Sequence, residues 1–195
     1  MKEDAMPKNA DSTPSPMPYT RAEHLLHPLR RLFQSPKRLV GRLPLKADSQ
    51  VLELGPGPGY FSAELARSIP RGKLVLVDIQ QEMLDMAKKR LSEMKLSNIE
   101  YRQADGISLP ADDSTFDCAF LVSVLGEISD RDACLQEIHR TLRPGGILSI
   151  TENKYFDPDY IPSPDLERAA HKAGFNTHRT YKGLMQFTMH FRKSV

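Results

Sequence analysis

Val51-Leu-Glu-Leu-Gly-Pro-Gly-Pro-Gly-Tyr-Phe61 is a short apolar run, then three glycines spaced two apart, then the start of a helical pattern. Val51 to Leu54 reads as a buried strand, and Phe61, Leu65 and Ile69 recur along one helix face. Strand, glycine turn and helix open a nucleotide-binding βαβ unit. Gly55, Gly57 and Gly59 let the backbone turn sharply and approach a ligand where a Cβ would clash.

The spacing separates two ligand classes. A dinucleotide site uses G-x-G-x-x-G, but here the third slot falls on Tyr60 or Ser62. Pro56 and Pro58 have no N–H to offer a phosphate. Glu53 puts a carboxylate beside the loop, which suits a ligand that carries positive charge and no pyrophosphate. S-adenosylmethionine (AdoMet) has a sulfonium, an α-amino group and no phosphate. A second buried run, Leu74 to Val77, closes on Asp78, 19 residues past Gly59, where such folds place the acid that accepts the ribose hydroxyls. An alternative role for Asp78 is the N-cap of the following helix.

Four blocks then occur in order: Glu53-Leu-Gly-Pro-Gly-Pro-Gly59, Val77-Asp-Ile-Gln-Gln-Glu-Met83, Gln103-Ala-Asp-Gly106 with Phe116-Asp117, and Leu142-Arg-Pro-Gly-Gly146. On these blocks the chain resembles the class I AdoMet-dependent methyltransferases over roughly residues 45 to 192. It is most similar to the small-molecule group (methyltransferase type 11) that includes the ubiquinone/menaquinone C-methyltransferases. The resemblance implies an α/β, doubly wound, Rossmann-like seven-stranded sheet, mostly parallel with an antiparallel last strand. It implies that the first block cradles the methionine end of AdoMet and Asp78 holds the ribose. It also implies that Asp105 meets the adenine amino group, with the Gly106 N–H near a ring nitrogen. Read alone, Asp105-Gly106 is equally a plain turn. Ile79 and Met83 can pack on the adenine or simply fill the core. Ser123 and Val124, just past the fourth strand, fall near the methyl and amino ends of the cofactor.

Composition bounds the rest. At 195 residues, 39% hydrophobic and 27% charged, the chain fits one soluble domain with a sizeable core. Residues 1–18 read as a Pro-rich disordered tail without the apolar stretch of a signal peptide. Residues 19–46 read as a basic helical segment on the substrate side, and 47–195 as the AdoMet-binding domain. No run approaches the roughly 18 apolar residues of a membrane helix. Cys118 and Cys134 read as buried free thiols, consistent with a reducing, cytoplasmic setting, and a bridge between them stays open. No Cys/His cluster has zinc spacing, so no metal is expected. Between Thr20 and Lys46 seven basic residues face one acid, Glu23, and the tail after Glu167 is also basic. Such charge is either a solvated surface or attraction to an anionic substrate or a membrane surface, that is, a peripheral membrane contact. Aromatics are not interleaved with it, which ranks nucleic acid lower.

The alternating pattern predicts strands near 50–54, 73–78, 99–103, 116–122 and 147–151, with a final hairpin over 176–192 turning at Gly183. Helices are expected near 21–43 (broken at Pro28 and Pro36), 59–68, 80–94, 130–142 and 164–173. Ligands in such sheets bind beyond the carboxyl ends of the strands. Amino-methylating relatives carry Asn/Asp-Pro-Pro-Tyr/Phe after strand 4. Here the segment is Leu121-Val-Ser-Val-Leu-Gly-Glu127, closer to the small-molecule group, which often has histidine at the position of Gly126. Glu127 is a polar contact or a helix-entry acid. Catalytic residues are not evident. Tyr19, His24 and His27 are acceptor-side candidates, because the N-terminal segment in this superfamily often closes over the site, and Glu152 and Tyr155 are expected to face the crevice. Leu32, Phe33, Leu39 and Val40 line a substrate pocket, cover the core or form a dimer contact. The expected activity is methyl transfer to a small-molecule acceptor. The alternatives are an inactive AdoMet-binding interaction protein and a protein or RNA methyltransferase.

Overall fold

In the computed structural model, residues 16–26, 34–155 and 157–194 are described. The expected tail up to Ser15, and His27, Leu32 and Phe33, lie outside the described residues. The seven strands are β1 (Gln50–Leu54), β2 (Lys73–Asp78), β3 (Ile99–Gln103), β4 (Phe116–Val122), β5 (Leu142–Asn153), β6 (Phe175–Lys182) and β7 (Gln186–Lys193). The helices are α1 (Ala22–Leu25), α2 (Pro36–Val40), α3 (Ser62–Ser68), α4 (Gln81–Glu93), α5 (Arg131–Thr141) and α6 (Ser163–Lys172).

The strands form one sheet in the order β3-β2-β1-β4-β5-β7-β6. Pairs from β3 to β5 are parallel, and β7 is antiparallel to both β5 and β6. This is the doubly wound, mostly parallel sheet with an antiparallel last strand expected from the sequence. The chain order reverses at β1, so the crevice opens between β1 and β4, at the carboxyl ends of the strands.

Successive strand residues point to opposite faces, and each face buries its own core. Leu52, Leu54, Ala119, Leu121, Leu148 and Ile150 pack under α5 and α6. Val51, Leu74, Leu76, Cys118 and Phe120 pack under α2, α3 and α4. Cys118 and Cys134 fall in these two different cores and are both free thiols, so the sheet separates them and no bridge forms. In α4 the buried residues are Met83, Leu84, Ala87 and Leu91. Met83 is thus buried, but belongs to neither of the two sheet cores.

Two expectations are corrected in detail. The helix expected from Arg21 is, where described, two short pieces, α1 and α2, preceded by a single 3-10 turn over Tyr19–Arg21. Strand β5 begins at Leu142, earlier than expected, because Leu142 pairs with Phe116 before the ladder resumes at Cys118 and Ile147. Pro144, Gly145 and Gly146 thus bulge out of a strand instead of preceding it. An additional 3-10 turn, Leu125–Glu127, follows β4.

Candidate functional site

The crevice is built first by backbone. Strand β1 ends where Gly55 turns with φ +67°, and Gly57 follows at φ +53°, conformations that suit glycine because it has no Cβ. A Cβ on Gly55 would lie 2.4 Å from a methyl of Val124, so the loop touches the segment after β4 without a gap. The N–H of Gly57 donates to Asp78 Oδ2 at 3.3 Å, and the N–H of Gln80 donates to Asp78 Oδ1 at 3.0 Å. Asp78 thereby ties the glycine turn to the end of β2. It does not cap α4, whose N-cap is Gln80. A carboxylate has about four acceptor positions, so these bonds, with the Ile79 N–H that also pulls on it, leave room for a further donor from a ligand. Burial raises the Asp78 pKa, while the backbone donors pull it down.

Glu53 lies beneath this loop and is only 2% exposed. Burial pushes its carboxyl up to about 8, against the pull of the Ser62 hydroxyl and with repulsion from Asp78 adding to it. Glu53 Oε2 has no hydrogen-bond partner among the described residues. An unpaired buried carboxyl oxygen is costly, and a cationic group of a ligand would relieve it. Ile79 is largely exposed beside Asp78. Asp105 Oδ1 accepts the N–H groups of Ile107 and Ser108 at 3.0 and 3.2 Å. The plain-turn role is therefore present, and it occupies one carboxylate oxygen of two. Gly106 is buried at φ +83°, against Leu54 and Ile128.

The N-terminal segment crosses this mouth. The N–H of Met17 donates to Glu127 Oε2 at 3.2 Å. The Gln80 amide donates to the Met17 carbonyl at 2.8 Å and accepts from the Tyr19 N–H at 3.0 Å. Leu25 lies 3.2 Å from where a Gly57 Cβ would be. Gln80 as a latch was missed from sequence, since an amide after a strand carries no motif. His24 falls on α1, beside the same segment. Burial pushes Glu127 up to about 7. Helix entry belongs instead to Asp130, which accepts the Ala133 N–H at 2.9 Å.

Past β4, Ser123 takes φ +53°. Glu152 lies inside β5 and is fully buried, with Oε2 accepting from the Ile161 N–H at 3.4 Å. The expectation that it faces an open crevice is corrected, because loop 157–161 folds over it. Burial pushes Glu152 up to about 8, and repulsion from Asp157 adds to it, while Glu152 Oε1 and Asp157 Oδ2 have no hydrogen-bond partner among the described residues. Like charges buried near one another favour a proton on one of the two carboxyls. Asp157 was not foreseen, since its role depends on that loop's return. The same loop explains Gly126: a Cβ there would lie 2.1 Å from the Asp159 carbonyl oxygen. No side chain fits at this position while the loop keeps its place.

Residues 51–146 match a family described as a methyltransferase domain. Over 118 residues, 58% of this chain, the sequence is 36% identical to a ubiquinone/menaquinone biosynthesis C-methyltransferase UbiE of Haemophilus ducreyi. The match spans 46% of that protein, so the chain covers about half the length of the curated relatives it matches. Among solved structures, a SAM-dependent methyltransferase from Aquifex aeolicus superposes with a TM-score of 0.85 at 22% identity, covering 91% of this chain and 99% of that one. The [4+2]-cyclase SpnF superposes with a TM-score of 0.74 at 20% identity, over 82% of this chain and 80% of that one. Structures at these identities share the fold alone, and the cyclase shows one fold carrying different chemistries.

Proposed function

The chain belongs to the class I AdoMet-dependent methyltransferase family, and on that premise we propose that it transfers the AdoMet methyl group to a small-molecule acceptor, releasing S-adenosylhomocysteine. The observation that carries the reading is the glycine turn tied to Asp78 above a buried, unpaired Glu53 oxygen. This loop has a cradle without Cβ atoms, open ribose-acceptor positions and a carboxyl suited to an amino group or sulfonium. Gly55, Gly57 and Gly59 hold the methionine end, Asp78 the ribose, Ile79 the adenine face, and Asp105 and Gly106 the adenine edge. Ser123 lies at the methyl end. Met83 supports the adenine side from its buried place in α4.

When bound, AdoMet supplies an electrophilic methyl group. The residues' task is to align an acceptor in line with the S–CH₃ bond and to exclude water, and orientation of this kind supplies about 7–11 kcal/mol. The segment from Met17 to Leu25 covers the mouth and does the excluding. Glu127, held near a pKa of 7 by burial, is matched to take a proton from an acceptor near neutral pH. Tyr19, His24 and His27 remain the other acceptor-side candidates. The curated relative's name makes aromatic quinone precursors the first acceptors to try. Gly126 favours a second reading, an AdoMet-binding protein without turnover, because it removes a basic side chain beside the cofactor.

Calorimetric titration with AdoMet and S-adenosylhomocysteine, with NADH as control, tests the cofactor. Micromolar binding of the first two and none of NADH is expected, and NADH binding in preference to AdoMet would overturn the assignment. Transfer of labelled methyl to an acceptor panel then separates enzyme from binder.

A further inference from the structure

The five large apolar side chains that are exposed among the described residues are Tyr19, Ile79, Ile107, Tyr155 and Leu184. All five lie along the carboxyl edge of the sheet. Ile79 and Ile107 follow β2 and β3, and Tyr19 is bonded to Gln80 above β2. Tyr155 follows β5. Leu184 sits in the β6–β7 turn, where the Lys154 N–H donates to the Met185 carbonyl at 3.0 Å. The proposed cofactor contacts account for the β2 and β3 side. Tyr155, 62% exposed, and Leu184, 91% exposed, lie on the acceptor side and have no such role.

Positive charge converges on the same corner. A cavity of about 300 Å³ under the hairpin is lined by Arg38, Arg42, Tyr181, Lys182 and Gln186, among others, with no acidic residue. None of its three cations is in an ion pair among the described residues, whereas Arg102, Arg140, Arg143 and Lys172 each hold a carboxylate. Arg42 lies 4.3 Å over the Tyr181 ring and Arg179 5.9 Å from it. The field is felt inside. Buried His190 is pushed down to about 4 by burial first, then by His178, Arg42 and Arg179.

From this geometry we propose that the corner formed by α2 and the β6–β7 hairpin is a docking surface for an anionic lipid bilayer. Arg38, Arg42 and Lys182 meet the headgroups, and Leu184 enters the interface. Cations around one projecting apolar side chain match the composition of an interfacial anchor. Nucleic acid fits less well, because the one aromatic ring lining the cavity already meets the Arg42 guanidinium at 4.3 Å, whereas base binding uses free aromatic stacking platforms. Docking in this pose turns the acceptor side of the crevice toward the membrane.

The test is co-sedimentation of the full chain, without cofactor or acceptor, with vesicles of phosphatidylcholine and of an equimolar mixture with phosphatidylglycerol. Binding to the mixed vesicles alone, released by salt, is expected. Arg38→Gln and Lys182→Gln should each weaken it about fivefold, and Leu184→Asp about tenfold. All three side chains are exposed and remote from the cofactor contacts, so AdoMet affinity and circular dichroism should stay as in wild type. No binding to anionic vesicles, equal binding to neutral ones, or wild-type binding by all three variants would overturn the proposal. Displacement of the vesicles by inorganic phosphate or by RNA would overturn it too, and would reassign the corner to a free anion or a nucleic acid. The readout needs no turnover, so its failure is distinct from failure of the methyltransferase reading.

Discussion

The half of the crevice over β1, β2 and β3 is made from backbone and near neighbours, whereas the half over β4 and β5 is made from side chains brought together over long separations. In the first, Gly57 and Asp78 lie 21 residues apart on adjacent strand ends, and Asp105 bonds N–H groups two and three residues on. In the second, Glu127 meets Met17 across 110 residues, and Gly126 is fixed by the carbonyl of Asp159. A backbone cradle needs particular residues at particular spacings, so it leaves a motif. A pocket of buried carboxyls needs only that distant segments return to one place. On the proposed reading the first half specifies the cofactor, and the second is free to vary with the acceptor.

The largest effect should come from breaking the cradle. Gly57→Val puts a β-branched residue at φ +53° and a side chain toward Leu25, in a region closed to such residues. AdoMet binding should be lost in calorimetry. Binding at wild-type affinity would move the cofactor away from this loop. Next, Asp78→Ala removes both the proposed ribose acceptor and the tie to Gly57. AdoMet affinity should fall by about 1.5–3 kcal/mol, the range for a hydrogen bond to a charged group. An unchanged affinity would reject the ribose assignment.

These two positions were legible because their chemistry is local. The parallel sheet with helices on both faces was legible for a related reason, because apolar runs closed by Gly, Asp or Ser alternate with helical spacing, whereas the antiparallel last strand came from the family resemblance. What was not legible depends on chain return. Nothing near Glu152 in sequence says that loop 157–161 will bury it, and nothing near Gln80 says that Met17 and Tyr19 will cross above it. Gly126 was legible as a departure from the family pattern, but its cause, the Asp159 carbonyl, was not.

The acceptor half can be broken by the reverse change. Gly126→His restores the residue the family often carries, but its Cβ would enter the Asp159 carbonyl. Overpacking of this kind costs about 1–3 kcal/mol, and Tm should drop by several degrees. Because the strain falls on loop 157–161, AdoMet affinity should change far less than in Asp78→Ala. A variant that loses AdoMet as fully as Gly57→Val would show that the two halves are one unit.

The smallest effect sharpens the same contrast through pH. Glu152 has an ordinary value of 4.5 and is held at about 8 in the fold, chiefly by burial and then by Asp157. Between those values the native state keeps a proton that the unfolded chain has released, so stability must fall as pH rises through the window and level off above it. Glu53 and Glu127, also raised by burial, tilt the profile the same way. Glu152→Gln keeps a carbonyl oxygen for the Ile161 N–H and removes the titrating carboxyl beside Asp157. It should flatten the Tm profile between about pH 5 and 8 while leaving AdoMet affinity as in wild type. AdoMet itself should act on the other half. A cation beside Glu53 favours the ionised carboxyl, so binding should release a proton within the same pH range, seen as a dependence of the binding heat on the buffer's ionisation enthalpy. If Glu152→Gln leaves the Tm profile unchanged, Glu152 is not the group that keeps the proton. If that variant abolishes the proton release, the acid that responds to the cofactor lies in the acceptor half and the separation between the two halves fails.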